Sequence, residues 1–180
     1  VVIKENIKKS KLKSNEIDEI IMGQVLTSAT GQNPARQAAI KAGIPIEKTA
    51  YVINQVCGSG LRAIAAGYQS ILSDDSNIVI AGGQESMTNA PHAIYFRNNK
   101  KLKETNLIDT IIKDGLWDAF NGYHMGVTAE NVAEKWGITR KEQDDFALSS
   151  QAKAKIAQKK GNFKNEIVPT ILKSDEHPRN

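Results

Sequence analysis

The chain has 180 residues, enough for one ordinary domain or two modest units, and 40% of them are hydrophobic against 24% that are charged. This balance is typical of a globular protein and excludes a disordered tail or a membrane protein. The formal net charge of +4 indicates an anionic partner without naming one. The basic runs contain few aromatic residues and no recognition motif, so they favour a solvated surface, and a nucleic-acid-binding module stays only as an alternative.

Cys57 is the single cysteine of the sequence, which excludes an internal disulfide and a cysteine-based metal site. A lone thiol favours a reducing, cytosolic setting. His92 and His177 have no ligand spacing to each other or to Cys57. The sequence therefore predicts no metal site.

The first elements alternate between strand and helix. A helical turn is predicted at residues 14–18, before a short buried strand at residues 20–22 and 25–26. Asn33 and Pro34 are a typical N-cap and first residue of a helix that Gly43 ends. A second buried strand is predicted at residues 50–56, which are rich in β-branched and aromatic side chains.

A tight turn at residues 57–60 separates this strand from a further helix. Apolar residues recur at helical spacing after the turn, at Leu61, Ile64, Ala65, Tyr68 and Leu72. A third strand is predicted at residues 78–81. Strand, helix and strand within about 35 residues form a βαβ unit, so the sequence predicts an α/β fold with a parallel sheet.

The pattern changes after Ser86. Residues 87–125 are predicted to be irregular, with an amphipathic stretch at 107–112. A short helix ended by Gly137 follows, and Thr139 with Glu142 is a capping box for a longer helix that reaches about Lys160. We therefore expect a boundary near residue 86, with domains at 1–86 and 87–180.

The turn after the second strand is the most informative feature. Cys57 lies between that strand and a helix, and a helix N-terminus stabilises a thiolate, which is the nucleophilic form of cysteine. Gly58 and Gly60 allow a substrate to approach backbone N–H groups, as a developing oxyanion requires. The alternative, a small buried cysteine in the core, is about as probable from this placement alone.

Two longer motifs and their order point to a family. Residues 54–60 (NQVCGSG) resemble the nucleophile segment of the thiolases, and residues 82–91 (GGQESMTNAP) resemble that family's Gly-Gly-x-Glu-x-Met-(Ser/Thr) segment. Further similar segments occur in the family's order, at residues 31–36, 114–116, 123–126, 128–131, 142–144 and 166–169. The resemblance covers essentially the whole chain and is greatest to the bacterial acetyl-CoA acetyltransferases.

The resemblance implies a fold, a reaction and a set of site residues. The fold is a thiolase-like layered α/β half at 1–86, without its first strand, and an inserted, mostly helical loop subdomain at 87–180. The reaction is a Claisen condensation of two acetyl-CoA to acetoacetyl-CoA, or its reversal, with CoA thioesters as substrates and no further cofactor. The family's nucleophile falls on Cys57. Its acyl and pantetheine channel falls on Leu116, His124 and Met125.

The resemblance also implies what accompanies this chain. It corresponds to the N-terminal half of a thiolase, and the family's acid/base histidine and second cysteine belong to a C-terminal half that it does not contain. We expect a cytoplasmic acyltransferase of fatty acid metabolism that forms a homodimer or homotetramer, with residues 89–110 in the position of the tetramerisation loop. No nucleic acid and no membrane are expected as partners.

Several alternatives stay open at this point. A β-ketoacyl synthase shares the thiolase-like fold and a cysteine at a helix N-terminus, although residues 82–91 and the long insertion after Ser86 favour a thiolase. A non-catalytic fragment is a third possibility. Leu116 and Met125 are also compatible with ordinary core packing, and His124 with a hydrogen-bonded core histidine.

Overall fold

The computed structural model describes residues 1–95 and 106–170 of the chain. Contacts divide the chain into two compact units, Ile3–Met125 and the part from Gly126 onward together with Val1–Val2. The boundary predicted near residue 86 lies inside the first unit, and the division into 1–86 and 87–180 stays a prediction.

The first unit is built on a three-stranded parallel sheet. Its strands are β1 (Glu19–Gly23), β2 (Thr49–Ile53) and β3 (Val79–Gly83), and their order is β2-β1-β3. The three strands are in register, with the last residue of β1 opposite the last residues of β2 and β3. All three carboxyl ends therefore meet at one edge of the sheet, which confirms the predicted parallel arrangement and the α/β class.

Two helices, α1 (Val2–Ser10) and α2 (Pro34–Ala42), cover one face of the sheet. Their buried residues join those of β1 in one apolar cluster, which contains Ile3, Ile7, Ile17, Ile20, Met22, Ala35, Ala39, Ala42 and Ile44. The caps predicted for α2 are confirmed, because Asn33 accepts a hydrogen bond from the N–H of Arg36 and Gly43 has a φ of 91°. Helix α1 was not predicted, since only two isoleucines one turn apart mark its buried face within a lysine-rich run.

Helix α3 (Ser59–Leu72) packs on the opposite face. Its buried residues are small, and a Cβ placed on Gly67 would lie 3.0 Å from Cγ1 of Val79. The larger residues whose spacing predicted this helix point away from the sheet, so that Leu61 is 75% exposed and Tyr68 is 64% exposed. The helix was predicted correctly, but the face that packs is the small one, because only small residues let its backbone come this close to the strands.

Two predictions about the strands were wrong in detail. The first strand ends at Gly23, and the N–H groups of Val25 and Leu26 donate to the Glu85 carboxylate rather than to a neighbouring strand. The second strand ends at Ile53 and is not buried, since β2 lies at the edge of the sheet and Tyr51 is 38% exposed.

The segment predicted to be irregular contains short regular elements. Strands β4 (His92–Ala93) and β5 (Ile108–Asp109) pair antiparallel, and a π-helical segment follows at Ile111–Leu116. The hydroxyl of Thr110, after β5, donates to the carbonyl of Pro91, before β4, at 2.6 Å and adds a further bond between the two strand segments. Residues 96–105 of the predicted assembly segment, and His177, lie outside the described residues.

The second unit contains α4 (Met125–Trp136), apart from its first residue, and then α5 (Arg140–Lys159). Gly137 follows α4 with a φ of 63°, and Gly161 follows α5 with a φ of 69°, so both predicted helix ends are confirmed. The capping box is confirmed as well, because Thr139 and Glu142 each accept the other's backbone N–H. In the described parts of the chain, no helix is both long enough and apolar enough to span a membrane.

Candidate active site

The loops that follow the three parallel strands enclose an open cleft of about 430 Å³. Each strand contributes through the residues at its carboxyl end. The cleft is lined by Gly23, Gln24, Val25, Val56, Cys57, Ser59, Gly60, Gly83, Gln84, Glu85 and Met87. The carboxyl edge of a parallel sheet is where open α/β folds generally bind ligands, and the strand order β2-β1-β3 gives this sheet the required change of direction.

Cys57 lies in this cleft with its side chain exposed to solvent. It follows the edge strand β2, and Gly58 is the N-cap of helix α3. This placement confirms the predicted position of Cys57 between strand and helix and disagrees with a cysteine packed in the core, while its role as nucleophile stays a prediction. An accessible sulfur at the N-terminus of a 14-residue helix is suited to nucleophilic attack.

The backbone just before Cys57 is in an unusual conformation. Val56 has a φ of 48°, in the left-handed region that β-branched residues avoid. The side-chain carbonyl of Asn54 accepts the N–H of Val56 at 2.9 Å, and the carbonyl of Gln55 accepts the N–H of Gly58 at 3.0 Å. These bonds close a compact turn that connects the end of β2 with the start of α3.

Helix α3 packs closely against β1, and this contact fixes the position of the turn relative to the sheet. A Cβ on Gly23 would overlap the carbonyl carbon of Ser59 and would lie 2.5 Å from the amide nitrogen of Gly60. Both neighbours are backbone atoms, which cannot move aside as a flexible side chain can. Glycine at the end of β1 therefore lets the first turn of α3 rest directly on the strand.

Polar side chains tie the cleft loops together. The two carboxylate oxygens of Glu85 accept the N–H groups of Val25 and Leu26 at 2.9 and 3.1 Å. The amide of Gln84 donates to the side-chain oxygen of Gln24 at 2.8 Å. Both residues lie in the motif at residues 82–91 without a predicted role, although a charged residue two positions after a strand that ends in two glycines was a usable signal.

The structure does not place Leu116, His124 and Met125 among the residues that line the Cys57 cleft. Leu116 is half-buried at the end of the π-helical segment, and the residues on either side of the following turn, Trp117 and His124, form an isolated antiparallel bridge. Met125 is 37% exposed at the start of α4. Their assignment to the acyl and pantetheine channel stays a prediction.

The turn before His124 has its own internal support. The Asp118 carboxylate accepts the side-chain and backbone N–H groups of Asn121 and the backbone N–H of Phe120, and these bonds lower the pKa of Asp118 below its ordinary value of 3.8. The N–H of Asp118 also donates to the carbonyl of Tyr123 at 2.8 Å. The turn therefore gives His124 a defined position relative to Trp117.

Within residues 1–95 and 106–170, no group of three or more His, Cys, Asp or Glu side chains is arranged to hold a metal ion. Glu85 is the one carboxylate among the cleft-lining residues of these ranges.

Comparison with known proteins identifies relatives over nearly the whole chain. The family model for the thiolase N-terminal domain matches residues 1–179. An acetyl-CoA acetyltransferase of Paracoccus denitrificans is 58% identical over 97% of this chain, and one of Rhizobium meliloti (strain 1021) is 57% identical over 96%. In both cases the match covers 44% of the relative, so the chain spans less than half the length of these proteins.

A solved structure agrees with the sequence matches. The Acat5 thiolase from Ascaris suum, crystallised in complex with coenzyme A, is similar to this chain with a TM-score of 0.88 and 40% identity. The match covers 94% of this chain and 44% of that one. The family model and these relatives favour a thiolase over the β-ketoacyl synthase alternative. The chain belongs to the thiolase family, and it corresponds to the N-terminal domain of that family.

Proposed function

We propose that this chain is part of an acetyl-CoA C-acetyltransferase, which condenses two acetyl-CoA to acetoacetyl-CoA and CoA or catalyses the reverse thiolysis. The observation that carries the proposal is the exposed Cys57 in the cleft at the N-terminus of α3. The relatives named acetyl-CoA acetyltransferase and the neighbour crystallised with coenzyme A support the choice of substrate.

The first chemical step uses residues of this chain. The Cys57 thiolate attacks the thioester carbonyl of acetyl-CoA, the carbon–sulfur bond to CoA breaks, and CoA leaves as a thiol after taking up a proton. The acetyl group is then held on Cys57 as a thioester. Covalent catalysis of this kind divides one difficult transfer between two acetyl-CoA molecules into two easier steps.

The second step needs a base that the described cleft does not offer. A second acetyl-CoA loses a proton from its methyl carbon, and this carbon attacks the acetyl carbonyl, which forms the new carbon–carbon bond and frees the Cys57 sulfur. Both carboxylate oxygens of Glu85 already accept backbone N–H groups. The proposal therefore assigns this proton transfer to groups outside the described residues.

Replacing the nucleophile tests the proposal directly. In the full-length protein, Cys57→Ser should leave the circular dichroism spectrum unchanged, because the substitution keeps the size and polarity of an exposed side chain. Acetylation by radiolabelled acetyl-CoA should be lost, and turnover should fall by about 10³-fold or more, as it does when a catalytic nucleophile is removed. A variant that still traps the label at the same rate contradicts the assignment.

The proposal also assigns the substrate channel. Leu116 and Met125 give apolar walls to pantetheine, and His124 gives a polar group that orients it. Met125→Trp in the full-length protein should raise KM for acetoacetyl-CoA or abolish turnover, because a larger ring narrows the channel. Alkylation of Cys57 by iodoacetamide is the control and should not change. Unaltered kinetics would leave Met125 with a packing role only.

We further propose a homodimer or homotetramer in which residues 89–110 take part. The segment carries basic side chains at Arg97, Lys100, Lys101 and Lys103. Light scattering of the full-length protein with and without this segment measures its contribution, and an unchanged mass contradicts it. A reducing, cytoplasmic setting is part of the proposal, because an exposed thiol remains a nucleophile only while it stays reduced.

A further inference from the structure

The hydroxyl of Ser59 connects the two residues that precede Cys57. Its oxygen accepts the N–H of Gln55 at 2.8 Å, and the same hydroxyl donates to the carbonyl of Val56 at 2.6 Å. Ser59 is 4% exposed, so both bonds are shielded from water. It is also the first residue of α3, where its backbone packs on Gly23 of β1.

Val56 needs such support, because its conformation is unfavourable for a β-branched residue. Its φ of 48° lies in the left-handed region, which valine adopts only when the surroundings impose it. Packing does not impose it here, since Val56 is 48% exposed. The restraint comes from hydrogen bonds on both sides, with the N–H of Val56 held by Asn54 and its carbonyl held by the hydroxyl and the N–H of Ser59.

We propose that Ser59 is the positioning residue of the nucleophile: its hydroxyl holds Val56 in the left-handed conformation and so keeps the Cys57 sulfur in the cleft at the start of α3. The hydroxyl does not touch the reacting atoms. It acts through the two peptide units before Cys57. The inference gives a mechanism to the proposed nucleophile, and therefore rests on the proposed function for its catalytic meaning.

The competing explanation is that Ser59 only stabilises the first turn of α3. The two explanations predict a different effect of the residue at position 56 on the cost of losing the Ser59 hydroxyl. Glycine adopts a positive φ without strain, so Val56→Gly removes the strain that the hydroxyl is proposed to offset. If Ser59 restrains Val56, removing its hydroxyl lowers the reactivity of Cys57 in the natural sequence and lowers it much less when position 56 is Gly. If Ser59 only stabilises the start of the helix, removing its hydroxyl lowers the reactivity of Cys57 equally in both proteins.

The experiment follows Cys57 by alkylation with iodoacetamide in the full-length protein. The tryptic peptide of residues 49–62 contains Cys57 and no internal lysine or arginine, so mass spectrometry measures this thiol alone. Displacing the sulfur from its place at the start of α3 should slow its reaction with a reagent that has to approach it in the cleft, because reaction rates depend on the position of the attacking group. We expect Ser59→Ala to lower the alkylation rate at pH 7 by about threefold or more, as a small misplacement of a reacting group does.

Matched variants define the outcomes. Ser59→Thr keeps the hydroxyl and should restore the rate to about that of the natural protein, while Asn54→Ala removes the other restraint on Val56 and should reproduce the loss. Ser73→Ala removes a serine hydroxyl bonded to the carbonyl of Gln69 at the far end of α3 and should have no effect. In the Val56→Gly protein, Ser59→Ala should change the rate hardly at all.

Two results overturn the proposal: an unchanged alkylation rate in folded Ser59→Ala, or an equal loss of rate in the natural and the Val56→Gly backgrounds. If Ser59→Ala does not fold, the double variant with Val56→Gly decides. Folding of the double variant supports the restraint, and failure of both variants to fold overturns it.

Acetylation by acetyl-CoA is measured in parallel, where Ser59→Ala should lower kcat and leave KM unchanged. If natural Cys57 is alkylated but never acetylated, the proposed function fails and the alkylation result still stands.

Discussion

At the scale of single residues, Asp18 is the clearest case of a side chain that organises the sheet. It precedes β1, and its carboxylate accepts the N–H groups of Asn77 and Ile78 at 2.9 and 3.1 Å. It also pairs with Lys48 at 3.1 Å. Asn77 and Ile78 precede β3 and Lys48 precedes β2, so one carboxylate connects the starts of all three strands.

These partners favour the ionised carboxylate. The N–H of Asn77 contributes most, followed by Lys48 and then Ile78, and together they lower the pKa of Asp18 below its ordinary value of 3.8. A lowered pKa means that the stabilisation is fully present above the pKa of the unfolded chain. It is lost as the pH falls through the pKa of the folded state.

We therefore predict that Asp18→Ala lowers the free energy of unfolding at pH 7 by about 1–3 kcal/mol, the usual effect of leaving such donors without their acceptor. The difference from the natural protein should shrink as the pH falls from about 4, the ordinary pKa of the group in the unfolded chain, through the lower pKa of the folded state. Urea unfolding followed by circular dichroism at several pH values measures it. Glu47→Ala, at an exposed carboxylate beside Lys48, is the control. A difference that does not depend on pH contradicts the prediction.

At the scale of elements, local signals and packing behave differently. Capping residues such as Asn33, Thr139 and Gly161 act within one turn of chain, and the helices they predict begin and end where expected. The packing of α3 depends on how closely its backbone approaches the sheet, and at Gly67 an added Cβ would already lie 3.0 Å from Val79. Only small residues fit at this distance, so Ala63 and Gly67 face the strands although larger apolar residues occur on the same helix.

The contact between β1 and α3 gives a prediction at this scale. Gly23→Ala should lower the free energy of unfolding by about 1–3 kcal/mol, as overpacking does, and should displace the start of α3, because the added Cβ meets the backbone of Ser59 and Gly60. Urea unfolding and Cys57 alkylation measure the two effects. Gly82→Ala in β3 is the control, since a Cβ there has no atom within 4 Å. Equal free energies of unfolding for the two variants would contradict the prediction, because they would show that β1 or α3 can move enough to accommodate the added Cβ.

At the scale of the whole molecule, the fold leaves apolar side chains of α3 exposed on the face opposite the sheet. The curated relatives are more than twice as long as the match, which covers 44% of each. The described cleft brings the Cys57 thiol to the surface, but its single carboxylate is occupied by backbone N–H groups. One half of the proposed reaction is therefore supported by these residues, and the other needs a further group.

We predict that the 180-residue chain by itself has no thiolase turnover, whereas its Cys57 still reacts with iodoacetamide. The one carboxylate among the described cleft residues is occupied by backbone N–H groups, so we expect deprotonation of the second acetyl-CoA to lack a base. Consumption of acetoacetyl-CoA in the presence of CoA measures turnover, and the full-length protein is the positive control. Turnover by the isolated chain that Cys57→Ser abolishes would mean that a residue of these 180 serves as the base.

The sequence by itself determined the features that depend on neighbouring residues. The caps of α2 and α5, the strand–turn–helix around Cys57 and the motifs that led to the thiolase family are all readable locally, because each depends on backbone conformations within a few positions.

Only the tertiary structure decided which distant groups meet. No local pattern shows that Glu85 binds the N–H groups of Val25 and Leu26, or that Gly23 supports α3. Both contacts depend on the order and register of parallel strands. Strand register brings residues sixty positions apart within hydrogen-bonding distance, and no local pattern encodes it.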